Sequence, residues 1–325
     1  MQVGIIGLPN VGKSTIFNVL AKANAEVANY PFCTIEPNTG IIEVPDPYLD
    51  KLSRIYNSKK VTPATIKMLD VAGLVKDANK GEGLGNKFLS HIRNADILAH
   101  VVRCFKSENI SVSGSLNPVE DIEIINTELM LSDIEIIRRR EEKLKSLLKS
   151  GDKEAKAKLE FATYLSDNLN AGNLPDIKNI NKVEEDFLRE LNLLSTKPVL
   201  YVANVDESRI STKLYNDLVS EVGKENVVKI YAELENELLD LPEEERPEYE
   251  KELGIEEEGL DVFIRSCYKL LDLITFYTLN ENEARAWSLE KGKNVVEAAG
   301  QIHSDMARGF IKAEVIATAF LPRNP

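Results

Sequence analysis

Apolar and polar positions alternate with two different periods over the first 105 residues. Val3–Ile6 is a short apolar run of strand character, and Lys13–Lys22 sets Ile16, Val19 and Leu20 on one side of a helix. Ile66–Val71 and Ile97–Val102 read as strands buried on both faces, as in a parallel sheet. From about Pro118 the period changes. Residues 120–149 keep a helical repeat without Gly or Pro, ending at Ser150-Gly151-Asp152. A second helix is predicted over 153–170, stopped by Ala171-Gly172-Asn173, and a third over 181–194. Strand signals resume at Pro198–Ala203 and Val227–Tyr231, followed by an amphipathic helix from Gly259 to Leu273. The end of the chain reads as a strand Ile274–Leu279, a helix Val295–Ile302 and a strand Ala313–Ala319.

The pattern predicts an α/β fold with a mostly parallel sheet flanked by helices, built from residues 1–119 and 196–274. A helical, coiled-coil-like insertion covers 120–195, and residues 275–325 form a separate segment. The length of 325 residues agrees with more than one domain.

Composition changes little: 43% hydrophobic and 29% charged residues are ordinary for a globular protein. Cys33, Cys104 and Cys267 are too scattered for a disulfide framework or a metal site, which suits a reduced cytoplasmic compartment. No apolar run reaches the roughly 20 residues of a membrane span, and a phosphate loop starting at Gly7 leaves no room for a signal peptide. The net charge of −13 is unevenly spread. Residues 138–158 hold nine Lys/Arg against four acids, whereas 233–258 hold thirteen Asp/Glu against Arg246 and Lys251. Two solvated helical faces explain this, and so does a basic projection that meets RNA phosphate; charge alone does not choose. Nothing points to DNA specificity.

Chemistry enters at Gly7-Leu8-Pro9-Asn10-Val11-Gly12-Lys13-Ser14, which fits G-x-x-x-x-G-K-[ST] between a strand and a helix. Backbone N–H groups of such a P-loop curl around a β-phosphate, and the helix N-terminus adds its positive dipole end. Asn10, Val11, Gly12, Lys13, Ser14 and Thr15 are the expected nucleotide-binding residues. Lys13 reaches the β/γ-oxygens and the Ser14 hydroxyl ligates Mg²⁺. Leu69-Asp70-Val71-Ala72-Gly73 ends a strand with D-x-x-G, so that Asp70 holds Mg²⁺ through water and the Gly73 N–H senses the γ-phosphate. Thr34, in the loop Tyr30–Thr34, is the candidate second direct Mg²⁺ ligand.

These segments, with Asn29–Asn38 and Gly81-Glu82-Gly83-Leu84-Gly85-Asn86-Lys87-Phe88, closely resemble the YchF/Obg-like ATPase family. The resemblance runs from residue 1 to about 319 and includes Ile122–Leu129 and Ala299–Ile316. It implies a P-loop nucleotide hydrolase with the ribosome, or its large subunit, as partner. It also implies that residues 275–325 begin a β-grasp TGS domain, carried by Ala284–Trp287 and Gly300–Asp305. That module continues further in the family, and Phe320–Pro325 depart from its pattern, so the domain is expected to be incomplete.

Base choice rests on Asn204-Val205-Asp206-Glu207, where GTPases carry Asn-Lys-x-Asp. Val205 replaces the lysine that lies along the ring, and the Glu207 carboxylate is one methylene too long for guanine. Asn204 retains a donor and an acceptor for the adenine N7/N6 edge. The resemblance implies the same preference for ATP. Leu74 follows D-x-x-G where related enzymes orient water with Gln, and it cannot do so. A histidine of the family's next loop is replaced by Ser111, which puts that mechanism in doubt here. His100 is expected to be packed in the core. The expectation is therefore a slow ATPase relying on Mg²⁺, Lys13 and backbone dipoles. Asn10 resembles the asparagine with which related enzymes hold K⁺. A GTPase of ribosome assembly and a non-hydrolytic ATP-sensing module remain open alternatives.

Overall fold

The computed structural model describes residues 1–22, 39–69, 92–106, 116–149, 151–242, 244–246, 249 and 259–318. Thr34, Asp70, Gly73, Leu74, His91 and Ser111 lie outside the described residues, as do the segments 29–38 and 81–88. The chain divides into two compact units. One comprises Gln2–Asn18 and Leu69–Asn236; the other comprises Met1, Val19–Met68 and Glu237–Pro325. Among the described residues no helix is long and apolar enough to cross a membrane.

The first unit is centred on strands β1 (Gln2–Ile6), β5 (Ile97–Cys104), β6 (Val199–Val205) and β7 (Val227–Ile230), side by side in that order and all parallel. All eight residues of β5 are buried, the burial expected of a central strand covered on both faces. Its register puts His100 beside Ile6 and Tyr201, and Arg103 beside Asn204. One face carries Val102 and Cys104 of β5 with Ala203 and Val205 of β6, packed on Leu214 and Leu218 of the helix Arg209–Val222. Helix α1 covers Lys13–Lys22, the predicted span.

Among the described residues the segment expected to be an insertion holds three helices: Pro118–Lys149, Lys153–Asn170 and Lys182–Leu191, here called the long, second and third helix. The long helix starts on an Asn117 cap that accepts from the Val119 and Glu120 N–H groups, with Pro118 in the first turn, where its missing N–H is harmless. Its buried positions Ile122, Ile125 and Leu129 pack against the sheet. Beyond Asp133 it changes partner, and Ile134, Ile137 and Leu144 join Phe161, Leu165 and Phe187 of the other two helices.

In the second unit β2 (Thr39–Glu43) lies beside β4 (Thr65–Leu69), with the helix Pro47–Tyr56 between them in sequence. A separate three-stranded sheet has the order β3 (Lys60–Thr62), β9 (Glu283–Glu290), β8 (Leu273–Leu279). The β8/β9 hairpin is tied by the Trp287 indole N–H donating to Thr278 Oγ1 at 2.9 Å. Strand β9 was legible only as the motif Ala284–Trp287. The strand expected over Ala313–Ala319 is not formed: residues 311–317 take no regular structure, and Ile311 is 90% exposed. Alternation of apolar residues makes a strand only where a neighbouring edge receives its hydrogen bonds, and none does so among the described residues.

Candidate functional site

The turn between β1 and α1 has the backbone the motif requires. Gly7, Asn10 and Gly12 have φ of 143°, 63° and 98°. A Cβ on Gly7 would lie 2.4 Å from the Val101 carbonyl oxygen, and one on Gly12 would lie 2.2 Å from the Asn204 amide nitrogen. Gly7 is therefore required sterically as well as conformationally, and at Gly12 a side chain would be strained by φ and would displace the end of the Asn204 side chain. Asn10 adopts the left-handed conformation that Asn tolerates better than other side chains.

Lys13 is buried and its Nζ donates to the Leu8 carbonyl at 2.6 Å, so the ammonium folds back over the loop it follows. Ser14 and Thr15 open α1 and are exposed, leaving the Ser14 hydroxyl free of the core. A hard oxygen donor at a helix start suits Mg²⁺, which takes one or two protein ligands and completes its shell with phosphate and water. Asp70 and Thr34, the other two expected ligands, lie outside the described residues.

Asn204, at the carboxyl end of β6, is a strut. Its Nδ2 donates to the Val11 carbonyl at 3.0 Å, and its Oδ1 accepts from the Ala232 N–H at 3.4 Å. One amide N–H is thus committed to the phosphate loop, while the Oδ1 keeps a second lone pair. Val205 points the other way, into the cluster of Val102, Cys104, Leu214 and Leu218. Its side chain is in the core, 5% exposed. Asp206 then turns the chain, its Oδ1 accepting from the Ser208 N–H at 2.8 Å, and Ser208 caps the next helix. Glu207 stands exposed on that turn.

Two buried polar residues accompany the site. His100 is 1% exposed, and neither ring nitrogen has a hydrogen-bond partner. Burial first, and the nearby Lys13 charge second, bring its imidazole from 6.5 down to about 3. It is a core histidine, neutral at physiological pH, next to the Tyr201 ring. The unfolded chain takes up this proton below pH 6.5 while the folded chain does so only near 3, so stability falls as pH drops through that window. The slope is about 1.4 kcal/mol per pH unit. His100→Leu is expected to lose about 2 kcal/mol less than the parent between pH 7 and pH 5 in denaturant unfolding. Parallel acid profiles for the two proteins would refute this.

Arg103 was not singled out from the sequence. It is 7% exposed, its Nε donates to the Phe105 carbonyl at 3.0 Å, and its Nη1 is buried without a partner. A charged residue closing an apolar strand was the available signal. Its register neighbour is Asn204, so a guanidinium with one unmatched N–H group stands beside the phosphate-loop strut, its charge offset in part by Asp121.

Known proteins resemble this chain in sequence and fold. A family model described as a 50S ribosome-binding GTPase matches residues 2–146. A second, the YchF carboxy-terminal model, described as a protein of unknown function, matches residues 273–323. The ribosome-binding ATPase YchF of Bacillus subtilis (strain 168) is 46% identical over 324 residues, covering 98% of this chain and 88% of that protein. The protein of the same name from Escherichia coli O157:H7 is 47% identical over 321 residues, covering 97% and 88%. The structure of the Schizosaccharomyces pombe YchF GTPase matches with a TM-score of 0.82 at 32% identity, over 96% of this chain and 86% of that one. The bacterial relatives are named ATPases and the yeast structure a GTPase. Identity of this extent, with a matching fold, means that the chain belongs to the YchF family of P-loop nucleotide hydrolases.

Proposed function

We propose that this chain is a cytoplasmic, Mg²⁺-dependent ATPase that turns over slowly and acts as a nucleotide switch on the ribosome. The ribosome enters from the names of its relatives. Residues 1–119 with 196–274 are assigned to nucleotide binding, 120–195 to the helical insertion and 275–325 to a TGS-like domain.

The observation that carries ATP over GTP is the position of Val205. With its side chain in the core, no cation from this turn lies along a base, and the acid that follows is Glu207 rather than Asp. Asn204 Oδ1, with one lone pair free, accepts from the adenine amino group. That position on guanine is a carbonyl, which would face the oxygen unfavourably.

The loop's N–H groups and the α1 dipole hold the β-phosphate. Lys13 leaves Leu8 to meet the β/γ-oxygens. Ser14, with Thr34 and Asp70, would hold Mg²⁺, which when bound neutralises charge developing on the transferred phosphoryl group. Leu74 has no polar atom to orient water, and Ser111 stands where the family carries a histidine, hence the slow turnover.

Equilibrium titration of the purified chain is expected to give tighter binding of ATP than of GTP. Guanine nucleotide bound tenfold tighter would overturn the assignment. Single-turnover cleavage in K⁺ and in Na⁺, with and without ribosomes, tests the rest. Faster cleavage in K⁺ supports a cation held by Asn10, and no cleavage under any condition favours an ATP-sensing module that does not hydrolyse.

A further inference from the structure

The long helix Pro118–Lys149 and the third helix Lys182–Leu191 enclose a groove of about 430 Å³, lined by Ile136, Arg139, Arg140, Lys143, Glu190 and Leu191. Its floor is apolar and its rim cationic. Arg140 is fixed there, paired with Glu190 and lying over the Phe187 ring 5.7 Å from its centroid. The Arg140 Nε is buried without a partner. An unmatched donor in a cavity wall is costly unless an acceptor arrives. Among the described residues Arg139 is tied to Glu135, one turn back at 3.3 Å, and its side chain is 69% exposed. Lys143 is exposed and has no ion pair among the described residues.

Three cations face one carboxylate, and the imbalance continues along the same helices. Lys145 and Lys149 extend it on the long helix; with Arg138, and with Lys153, Lys156 and Lys158 from the second helix, they complete the nine Lys/Arg against four acids between residues 138 and 158. Arg139 and Lys143, one turn apart, present charges on one face about 6 Å apart along the helix. An extended polyanion with regularly repeated charge complements such a row better than a folded acidic surface does. The arginine forks suit phosphate oxygens.

We infer that this groove is an RNA-binding site that takes the sugar–phosphate backbone of a single strand, with Arg139, Arg140 and Lys143 on the phosphates. The inference deepens the ribosome reading and rests on it only for where the RNA comes from. It assigns the contact to the helical insertion, far along the chain from the phosphate loop.

The test uses the full chain and a fluorescent oligouridylate, with anisotropy read between 50 and 200 mM salt. Removing two phosphate contacts from a single strand flattens the salt dependence by about 1.4 in log–log slope, so the affinity lost over that fourfold range shrinks roughly sevenfold. That is the expected result for Arg139→Gln/Lys143→Gln. Both positions are exposed, so the fold should persist, checked by an unchanged melting temperature. The pair Lys213→Gln/Lys224→Gln removes the same charge outside the groove and should leave the slope near that of the parent. Equal flattening by the control pair, or none by the groove pair, overturns the assignment. So does tighter binding of a polyglutamate peptide, lost in the groove pair, which would make the partner an acidic protein. A parent chain that binds RNA through the groove but does not sediment with ribosomes loses the ribosome reading and keeps this one.

Discussion

Replacing Asp133 with alanine is expected to destabilise the protein by about 3–5 kcal/mol, the range for breaking a buried ion pair from one side. The carboxylate is fully buried and accepts four hydrogen bonds. They come from Arg93 Nη1 at 2.9 Å, the Leu194 N–H at 3.0 Å, the Ser195 N–H at 2.7 Å and the Ser195 hydroxyl at 2.8 Å. Alanine would strand a guanidinium only 14% exposed and two backbone donors in the interior. The network reaches further. Arg93 also donates to the Ser132 hydroxyl and the Asn192 carbonyl, and Asn192 donates back to the Arg93 carbonyl at 2.8 Å. One aspartate thus ties the middle of the long helix to the chain that enters β5 and the chain that returns to β6. The shift of the urea midpoint at constant slope measures the effect. A loss below about 1 kcal/mol would mean that the site relaxes or admits water. Asp133→Asn should fall between, because its amide presents donors to N–H groups that need an acceptor.

The second large effect is expected at Gly12. Alanine there meets two penalties. The φ of 98° is unfavourable for any side chain, and the new methyl would sit 2.2 Å from the Asn204 amide nitrogen. The Asn204–Val11 hydrogen bond must then break, leaving a buried amide unmatched at about 1–3 kcal/mol. With strain of a further 1–2 kcal/mol, ATP affinity should fall by about a hundredfold. The same displacement should lower the melting temperature, which separates Gly12→Ala from Lys13→Ala. The lysine variant removes a phosphate contact without the φ strain of Gly12→Ala and should affect binding more than stability. Undiminished ATP binding by Gly12→Ala would remove the loop from the site.

How much was legible in the sequence differs from element to element. The helices Lys13–Lys22 and Val295–Ile302 appear with the predicted bounds, because caps and periodicity are local properties. The phosphate loop was legible for a related reason: its geometry is written in glycines whose φ no other residue supports. The packed state of His100 was equally readable, since a polar residue inside an apolar strand has few alternatives.

Base-site chemistry was read less completely. Val205 was picked out as a missing lysine, but alternation across the sheet decided that its side chain enters the core. Asn204 was read as a base contact, and the fold adds a second task that the sequence did not show, an amide N–H that holds the Val11 carbonyl. The expected strand Ala313–Ala319 failed for the opposite reason, since its pattern was sound and its partner edge was not there among the described residues.

Local pattern by itself determined the phosphate loop, the class of fold and most helices, because these depend on neighbours within a few residues in the chain. Tertiary structure alone decided the Arg93–Asp133–Ser195 tie, the strut from Asn204 to Val11, the unmatched Arg103 Nη1 and the groove between the long and third helices. Each joins groups tens to hundreds of residues apart or depends on how they pack, and no spacing along the chain records which buried donors will meet which acceptors.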